Sequence, residues 1–183
     1  MRVAAGPGTD AAALGRLVRE RRTHKVYARE PVAPEALREL FELARWAPNH
    51  HLTNPWRFRV LGPRALEALK AAADADKPGS GGKLDRAPTL VAVSAVQTGD
   101  PVQDREDVLA TAVAAYLVLL GAHARGLVGY WRTVSVLDAP AGRRALGLGD
   151  GETPLGLLHI GHPRQEQPPP ERAPVEEIAT FLD

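Results

Sequence analysis

Arg21-Arg22-Thr23-His24-Lys25-Val26-Tyr27 is the most informative stretch of this chain. It places guanidinium groups, a hydroxyl and an ammonium within five residues, directly after a stretch with helical apolar spacing. Arginine binds phosphate oxygens with paired donors, and a hydroxyl can complete such a site. In an extended chain Thr23 and Lys25 point to the same side, about 7 Å apart. The pattern indicates a ligand with a phosphate at one end and an electron-rich group further along; the alternative is a solvated basic helix end.

Composition limits the class of protein. The 183 residues, 44% hydrophobic and 25% charged, are typical of one globular domain with a real core. A net charge of +1 argues against a general nucleic-acid binder. The absence of cysteine excludes disulfides, thiolate metal sites and a cysteine nucleophile. No apolar run approaches the length of a membrane span, and residues 1–10 lack a signal-peptide pattern, so we expect a cytoplasmic protein without a membrane partner.

Apolar periodicity predicts a mixed chain of helices and short strands. The long segment 103–125 is apolar on more than one face, which predicts burial in the core or against a partner subunit. We expect helices over 11–18 with Asp10 as N-cap, from Pro34 to before Pro48, over 63–74, over 103–125, from Asp138 as cap through Leu146, and near Pro174 to Phe181. We expect strands after Trp56, over Leu90 to Val96, Val128 to Val134 and Pro154 to Ile160, an exposed loop over 76–86, and a stiff proline-rich segment over 163–174.

A second informative segment runs from Trp46 to Phe58 and contains two histidines, two asparagines and two tryptophans. An indole can bury a flat face and still donate one hydrogen bond, which suits a planar heteroaromatic ligand. The alternative is that the tryptophans are core anchors and the histidines are solvated; for Trp56 we favour the core. A metal site is disfavoured because neither His50-His51 nor His159-x-x-His162 has a carboxylate or cysteine cluster beside it.

Two further segments supply candidate binding groups. Gly129-Tyr130-Trp131-Arg132-Thr133 closes a predicted strand, and strand ends commonly carry binding residues. Trp131 can stack or pack, while Arg132 and Thr133 can supply hydrogen-bond donors. Arg172 follows the proline-rich segment, where a lone arginine is usually solvated.

Taken together, these four segments resemble the flavin-dependent nitroreductase family, in particular its minimal branch. The resemblance extends from about Leu14 to Phe181. The family's opening pattern is arginine, then serine or threonine, then arginine or lysine, then an aromatic residue, at alternate positions. The family's spacing of Ala-Pro and Pro-Trp is met by Ala47-Pro48 and Pro55-Trp56. The opening pattern is met by Arg21, Thr23, Lys25 and Tyr27.

The resemblance implies FMN as cofactor and NAD(P)H as electron donor. By analogy, Arg21 and Thr23, with Arg22 between them, hold the phosphate or the ribityl chain, and Lys25 approaches N1 and O2 of the flavin. The other implied flavin contacts are Trp46, His50, Trp131, Arg132 and Thr133, with Arg172 on the phosphate. Two positions depart from the family pattern: Pro170 replaces a common lysine, and His50-His51 replaces small residues, which leaves the substrate open.

The resemblance also implies an architecture and a reaction. We expect one α+β domain over residues 10–183, with residues 1–9 as a flexible N-terminus. Its central, mostly antiparallel sheet is flanked by helices, and FMN lies at the interface of an intertwined homodimer. NAD(P)H would deliver hydride to flavin N5, and a nitroaromatic, quinone or related acceptor would then take it. The alternatives are a non-catalytic flavin-binding or sensor protein, and another flavin reaction such as reductive dehalogenation or flavin fragmentation.

The flavin would carry the redox chemistry, so no protein nucleophile is needed. The chain has no G-x-S-x-G elbow. Gly79-Ser80-Gly81-Gly82-Lys83 has phosphate-binding character, but neither the first glycine nor the final hydroxyl of a P-loop is present.

Overall fold

An antiparallel sheet of four strands forms the centre of the protein in the computed structural model, which describes residues 7–182. The strands lie in the order β1-β2-β4-β3. The elements are α1 (Pro7–Glu20), α2 (Pro34–Ala44), β1 (Trp56–Val60), α3 (Pro63–Asp76), β2 (Thr89–Val96), α4 (Pro101–Ala124), β3 (Val128–Arg132), α5 (Pro140–Leu146) and β4 (Glu152–Gly161). Short 3₁₀ turns cover His50–Leu52, Gly81–Arg86, Ser135–Leu137 and Val175–Glu177.

The two central strands, β2 and β4, are covered on both faces, which explains why their sequences are almost continuously apolar. One core lies between the sheet and helices α2 and α4, and it includes Leu40, Val118 and Leu158. The other lies on the opposite face against α3 and α5, and it includes Leu69 and Leu157. Neighbouring residues of one strand therefore enter different cores. The predicted α+β architecture with an antiparallel sheet flanked by helices is confirmed.

Helix α4 crosses the centre of the larger core. Its N-terminus is capped by the Asp100 carboxylate, which accepts a hydrogen bond from the Val102 N–H at 2.9 Å, so the helix begins two residues earlier than predicted. This helix is long and apolar enough to span a membrane, but half of its apolar stretch is buried inside the fold. The predicted burial of this helix in the core is present, and its burial against a partner subunit stays a prediction. One stripe is solvent-exposed and apolar, and it consists of Val102, Leu109 and Val113.

Three predictions about helix starts need correction. Helix α1 begins at Pro7, so Asp10 lies in its first turn and is not its N-cap. Residues 7–9 of the predicted flexible N-terminus are therefore helical, and residues 1–6 lie outside the described part of the chain. Helix α5 follows Ala139 and begins at Pro140, without a cap from Asp138. Proline's fixed φ favours the first helical position, and this start needs no side-chain acceptor.

Two segments without clear periodicity also differ from expectation. The predicted loop 76–86 contains the turn Gly81–Arg86, and Leu84 in that turn is buried against α3. The predicted terminal helix near Pro174 is only the turn Val175–Glu177, and Ile178 beyond it is exposed. A short amphipathic segment needs a packing surface to remain helical, and this chain alone does not supply one there.

One ion pair ties three strands together at the end of the sheet. The Arg59 guanidinium on β1 donates to both carboxylate oxygens of Glu152 on β4, at 2.7 and 2.8 Å. Ser94 on β2 donates to the same carboxylate at 2.6 Å. Burial by itself raises the pKa of the Glu152 carboxyl, but the hydrogen bonds from Arg59, Ser94 and a main-chain N–H outweigh burial. They lower that pKa from 4.5 to about 2.

Replacing Arg59 with methionine is expected to lower the free energy of unfolding by about 2 kcal/mol at pH 7, because the partly buried carboxylate loses its partner. Because the pKa of Glu152 is lower in the folded than in the unfolded protein, its ionised carboxylate stabilises the fold at pH values above about 4.5. The difference in stability between wild type and Arg59→Met is therefore lost as the pH falls from about 4.5 through about 2. Urea unfolding of wild type and Arg59→Met across that range measures the effect. Arg38→Met, which breaks an exposed pair with Glu35, serves as the control and should stay within about 0.5 kcal/mol.

Candidate functional site

The segment from Arg21 to Tyr27 leaves helix α1 and runs along the edge of β3. Thr23 forms a parallel bridge with Gly129, and the His24 N–H donates to the Gly129 carbonyl at 3.2 Å. The Tyr27 hydroxyl donates to the His24 carbonyl at 2.6 Å, and both of these side chains are buried. Both Thr23 and Lys25 are exposed, but the backbone bends at Lys25, so their predicted position on one side of an extended chain stays a prediction.

A basic cavity of about 720 Å³ opens beside this segment. Four arginines line it, and one of them comes from far along the chain; the only carboxylate in the lining is that of Glu20. The Arg21 guanidinium carbon lies 5.9 Å from the centre of the Tyr116 ring, and the buried Arg21 Nε–H has no hydrogen-bond partner. A buried, unpartnered guanidinium donor is what an oxyanion would satisfy. The four arginines are Arg19, Arg21, Arg22 and Arg172.

Two histidines lie behind this basic cluster and add little charge to it. Burial, His123 and Arg21, in that order, lower the pKa of His24 below its ordinary value. Burial is also the largest influence on the pKa of His123 and lowers it. Both imidazoles are therefore predominantly neutral at pH 7, and the positive charge of the cavity comes from the arginines.

Trp46 and His50 lie at a different place. Trp46 follows the end of α2, its side chain is 74% exposed, and the Arg45 guanidinium lies 5.7 Å from its ring centre. His50 Nδ1 lies 2.8 Å from the Glu106 carboxylate, near the start of α4. Arg21 contacts Tyr116, ten residues further along the same helix, or about 15 Å at the helical rise. A single chain therefore does not bring Trp46 and His50 to the basic cavity.

The loop that carries His50 has a strained backbone and is held to helix α4 by a hydrogen bond. His51, Leu52 and Asn54 have φ values of 56°, 52° and 46°, in the left-handed region that non-glycine residues rarely occupy. The Thr53 hydroxyl donates to the buried Asp107 carboxylate of α4 at 2.6 Å and holds the loop to the core. The sequence analysis missed this anchor. There was little signal for it in the sequence, because Asp107 directly follows three other charged residues, Asp104, Arg105 and Glu106, in the first turns of α4.

The strand-end segment sends its side chains in different directions. Trp131 packs on the larger core and donates from its indole nitrogen to the Leu155 carbonyl at 3.0 Å. Arg132 points to the opposite face, where its Nη1 lies 3.5 Å from the Lys83 carbonyl oxygen. Thr133 is exposed. The Arg132 side chain lines a second cavity and does not line the cavity of Arg21 and Arg172.

The structure also shows the surroundings of Trp56 and His159. Trp56 starts β1 and is 8% exposed, which confirms the core role favoured for it. His159 is buried, and burial, Arg132 and Arg86 together lower its pKa to about 4. Within residues 7–182 no three histidine, cysteine or acidic side chains lie close enough together to hold a metal ion.

Comparison with known proteins agrees with the resemblance seen in the sequence. The model of the family described as the nitroreductase family matches residues 18–162. YdjA of Escherichia coli (strain K12), whose name assigns it provisionally as an NAD(P)H nitroreductase, is 26% identical over 159 residues, or 81% of this chain and 87% of its own. The family recognised from the sequence is confirmed.

Solved structures give the same fold. A nitroreductase-like family protein from Bacillus cereus superposes with a TM-score of 0.84 at 23% identity, over 100% of this chain and 99% of its own. A Desulfovibrio desulfuricans structure, described as a nitroreductase in complex with FMN, superposes with a TM-score of 0.76 at 26% identity, over 93% of this chain and 96% of its own.

Thr53→Val is expected to reduce the free energy of unfolding by about 1–3 kcal/mol, because the buried Asp107 carboxylate loses a donor while the shape is kept. One oxygen of that carboxylate already lacks a partner, and Gln103 would be the remaining donor to the other. Thr53→Ser keeps the hydroxyl and should recover most of the loss. Urea unfolding measures the free energy of unfolding of wild type, Thr53→Val and Thr53→Ser. Equal stability of Thr53→Val and wild type would show that the bond does not anchor the loop.

Proposed function

The chain belongs to the nitroreductase family, and from that premise we propose that it is an FMN-dependent oxidoreductase. It takes hydride from NAD(P)H and passes it through flavin N5 to a nitroaromatic, quinone or related acceptor. The family consists of flavin oxidoreductases. The observation that carries the proposal is the arginine-lined cavity, with its unpartnered buried Arg21 donor, directly beside exposed Thr23 and Lys25.

The residues present fit the phosphate end of FMN. Arg21, Arg22 and Arg172 would hold the phosphate, since paired guanidinium donors match its oxygens and only one carboxylate competes in the lining. Thr23 would hold the ribityl chain, because its side chain lies on the exposed side of the edge segment. When bound, FMN supplies the two-electron chemistry.

Lys25 has an electrostatic role in this proposal. It follows Thr23 by two residues and is exposed, so its ammonium is available to a ligand that extends from the arginines. A fixed cation beside the electron-accepting edge of a ring favours the electron-rich form over the oxidised one. Main-chain pairing with Gly129 keeps this part of the chain from moving away from β3.

The proposed site is completed by a second copy of the chain. The residue that His50 contacts, Glu106, lies about 15 Å along α4 from Tyr116, which Arg21 contacts. A partner subunit would therefore have to bring His50, and Trp46 after α2, to the flavin. The exposed apolar stripe of α4 supplies a surface for that partner, and so do Ile178 and Phe181 in the C-terminal segment, at 76% and 95% exposure. The homodimer would present Trp46 and His50 at the ring, with segment 131–133 at the end of β3 beside it, and would function in the cytoplasm.

The proposed function is tested by the colour and the reduction of the purified protein. We expect a yellow protein that bleaches with NADPH under anaerobic conditions and regains its colour when a nitroaromatic or quinone is added. A yellow protein that does not bleach would support a non-catalytic flavin-binding protein instead. A protein that stays colourless after titration with FMN would contradict both readings. A molar mass near the 19.6 kDa of one chain, measured by light scattering, would exclude a site shared between subunits.

Arg21→Ala is expected to weaken FMN binding at least about tenfold, or about 1.4 kcal/mol, because it removes a charge-assisted contact with the phosphate. Titration of FMN followed by fluorescence quenching measures the change. Arg16→Ala, on the exposed surface of α1 outside the cavity lining, is the control and should bind FMN as wild type does. Unchanged affinity in Arg21→Ala would remove this residue from the site.

Lys25→Met is expected to keep FMN but to lower its midpoint potential by several tens of millivolts and to slow bleaching by NADPH. The reason is that the lost charge stabilises the reduced flavin more than the oxidised one. For a two-electron couple ~30 mV corresponds to about 1.4 kcal/mol. Anaerobic titration against reference dyes measures the potential, with Lys70→Met as the control. A potential within ~10 mV of wild type, with FMN bound, would assign Lys25 to a solvated basic turn.

A further inference from the structure

A second basic cavity, of about 220 Å³, lies at the C-terminal end of β3 between α3 and the turn that follows the strand. We propose that it is a subsite for an oxyanion group carried by one of the reacting ligands, either a phosphate of the electron donor or a carboxylate of the acceptor. The assignment of the ligand rests on the proposed function; the presence of an anion site does not. Its polar lining comes from Asp76, Lys77, Ser80, Lys83, Arg132, Thr133 and Ser135.

The charge balance of this cavity is positive. Lys77, Lys83 and Arg132 face one carboxylate, that of Asp76, which already accepts a hydrogen bond from the Ser135 hydroxyl at 3.0 Å. None of the three cations lies within 4.0 Å of a carboxylate oxygen among the described residues. Cations gathered around a concave surface without counter-charges concentrate anions there.

Three basic residues that link separate elements of the fold differ from these cations. Arg59 and Arg125 are each paired with a glutamate, at 2.7 and 2.9 Å, and Lys70 is paired with Asp85 at 3.0 Å. Where these cations serve the fold, the chain supplies a carboxylate from another element. The three cations of the second cavity have no such partner, which is the pattern of the Arg21 cavity and not that of the structural ion pairs.

Arg132 is the best-placed donor in this cavity. Its side chain is half-buried, and its one hydrogen bond in the described structure goes to the Lys83 carbonyl at 3.5 Å. A guanidinium has five N–H donors, so most of them remain for a ligand, in the planar arrangement that suits a phosphate or a carboxylate. Its charge also acts inside the sheet, since Arg132 is one of the groups that lower the pKa of His159.

Size and position indicate the kind of ligand. A volume of 220 Å³ accommodates an oxyanion group with a few waters, but not a dinucleotide or a flavin, so the rest of the ligand must lie outside. Arg132 is three residues beyond Gly129, the partner of Thr23, which is about 10 Å along the strand. A ligand lying over the proposed flavin site could therefore place a charged group in this cavity.

Two ligands of the proposed reaction carry such a group. NADPH has a 2′-phosphate that NADH lacks, and many aromatic acceptors carry a carboxylate. We therefore use 2′,5′-ADP as the probe for the phosphate and 4-nitrobenzoate as the probe for the carboxylate. Each is titrated by calorimetry into the purified protein. The proteins compared are wild type and Lys77→Met/Lys83→Met, in which the charge is removed while part of the aliphatic stem is kept.

The matched control is Arg64→Met/Arg144→Met, which removes the same charge at exposed positions outside the cavity lining. We expect wild type to bind one of the two probes and the cavity variant to bind it at least about tenfold more weakly, with the control within about twofold of wild type. Loss of 2′,5′-ADP binding assigns the cavity to the donor phosphate. Loss of 4-nitrobenzoate binding assigns it to the acceptor carboxylate.

The proposal is overturned if wild type binds neither probe, or if the cavity variant and the control bind both alike. Thermal melts check the fold of each variant, and Lys77→Met alone, at an exposed position, gives the same test if the double variant does not fold. Failure of the proposed flavin function would be seen separately, as absence of FMN binding or of bleaching by NADPH. The calorimetric comparison does not depend on either.

Discussion

Main-chain pairing between the segment after α1 and the edge of β3 is the constraint on which the proposed site depends. Thr23 and His24 can pair with Gly129 only if the two backbones approach closely. A Cβ at Gly129 would lie 2.6 Å from a methyl carbon of Leu119 and 3.3 Å from the His159 carbonyl oxygen. Helix α4 and strand β4 thus converge on Gly129, and a larger residue there would have to displace the Leu119 side chain. This convergence sets which side of the segment faces the core and which faces the cavity.

The distribution of charge separates what stabilises this fold from what is available for binding. Arg59 is held between strands by a carboxylate and a hydroxyl, and its charge is neutralised within the protein. Arg21 and Arg132 lie at the two ends of β3 without a carboxylate partner in the described residues. Leaving such cations unpaired is unfavourable in the free protein, because burial of charge is disfavoured. A bound anion would remove that penalty, so the same feature that weakens the fold strengthens binding.

The sequence predicted the features that depend on local pattern and missed those that depend on distant contacts. The Arg21 segment, the strands and helix α4 follow from local spacing, whereas the family was recognised by the resemblance of the motifs and is confirmed by the family match. The Thr53–Asp107 bond could not be predicted with its geometry, because the two residues are 54 positions apart. The directions of Trp131 and Arg132 depend on which face of the sheet each core covers. The terminal segment was wrongly given a helix, because its apolar residues have no surface to pack on within the chain.

In the proposed homodimer, FMN binding and the association of the subunits would be coupled, because the two groups of flavin contacts lie at different places along α4. If the flavin requires Arg21 from one subunit and His50 from the other, the free monomer lacks part of the contact surface. A ligand that binds one state of an equilibrium and not the other shifts that equilibrium towards the state it binds. FMN would then strengthen the association of subunits, and association would strengthen FMN binding by the same factor. In that proposed homodimer the apolar stripe at Val102, Leu109 and Val113 would contribute to flavin affinity together with the arginines.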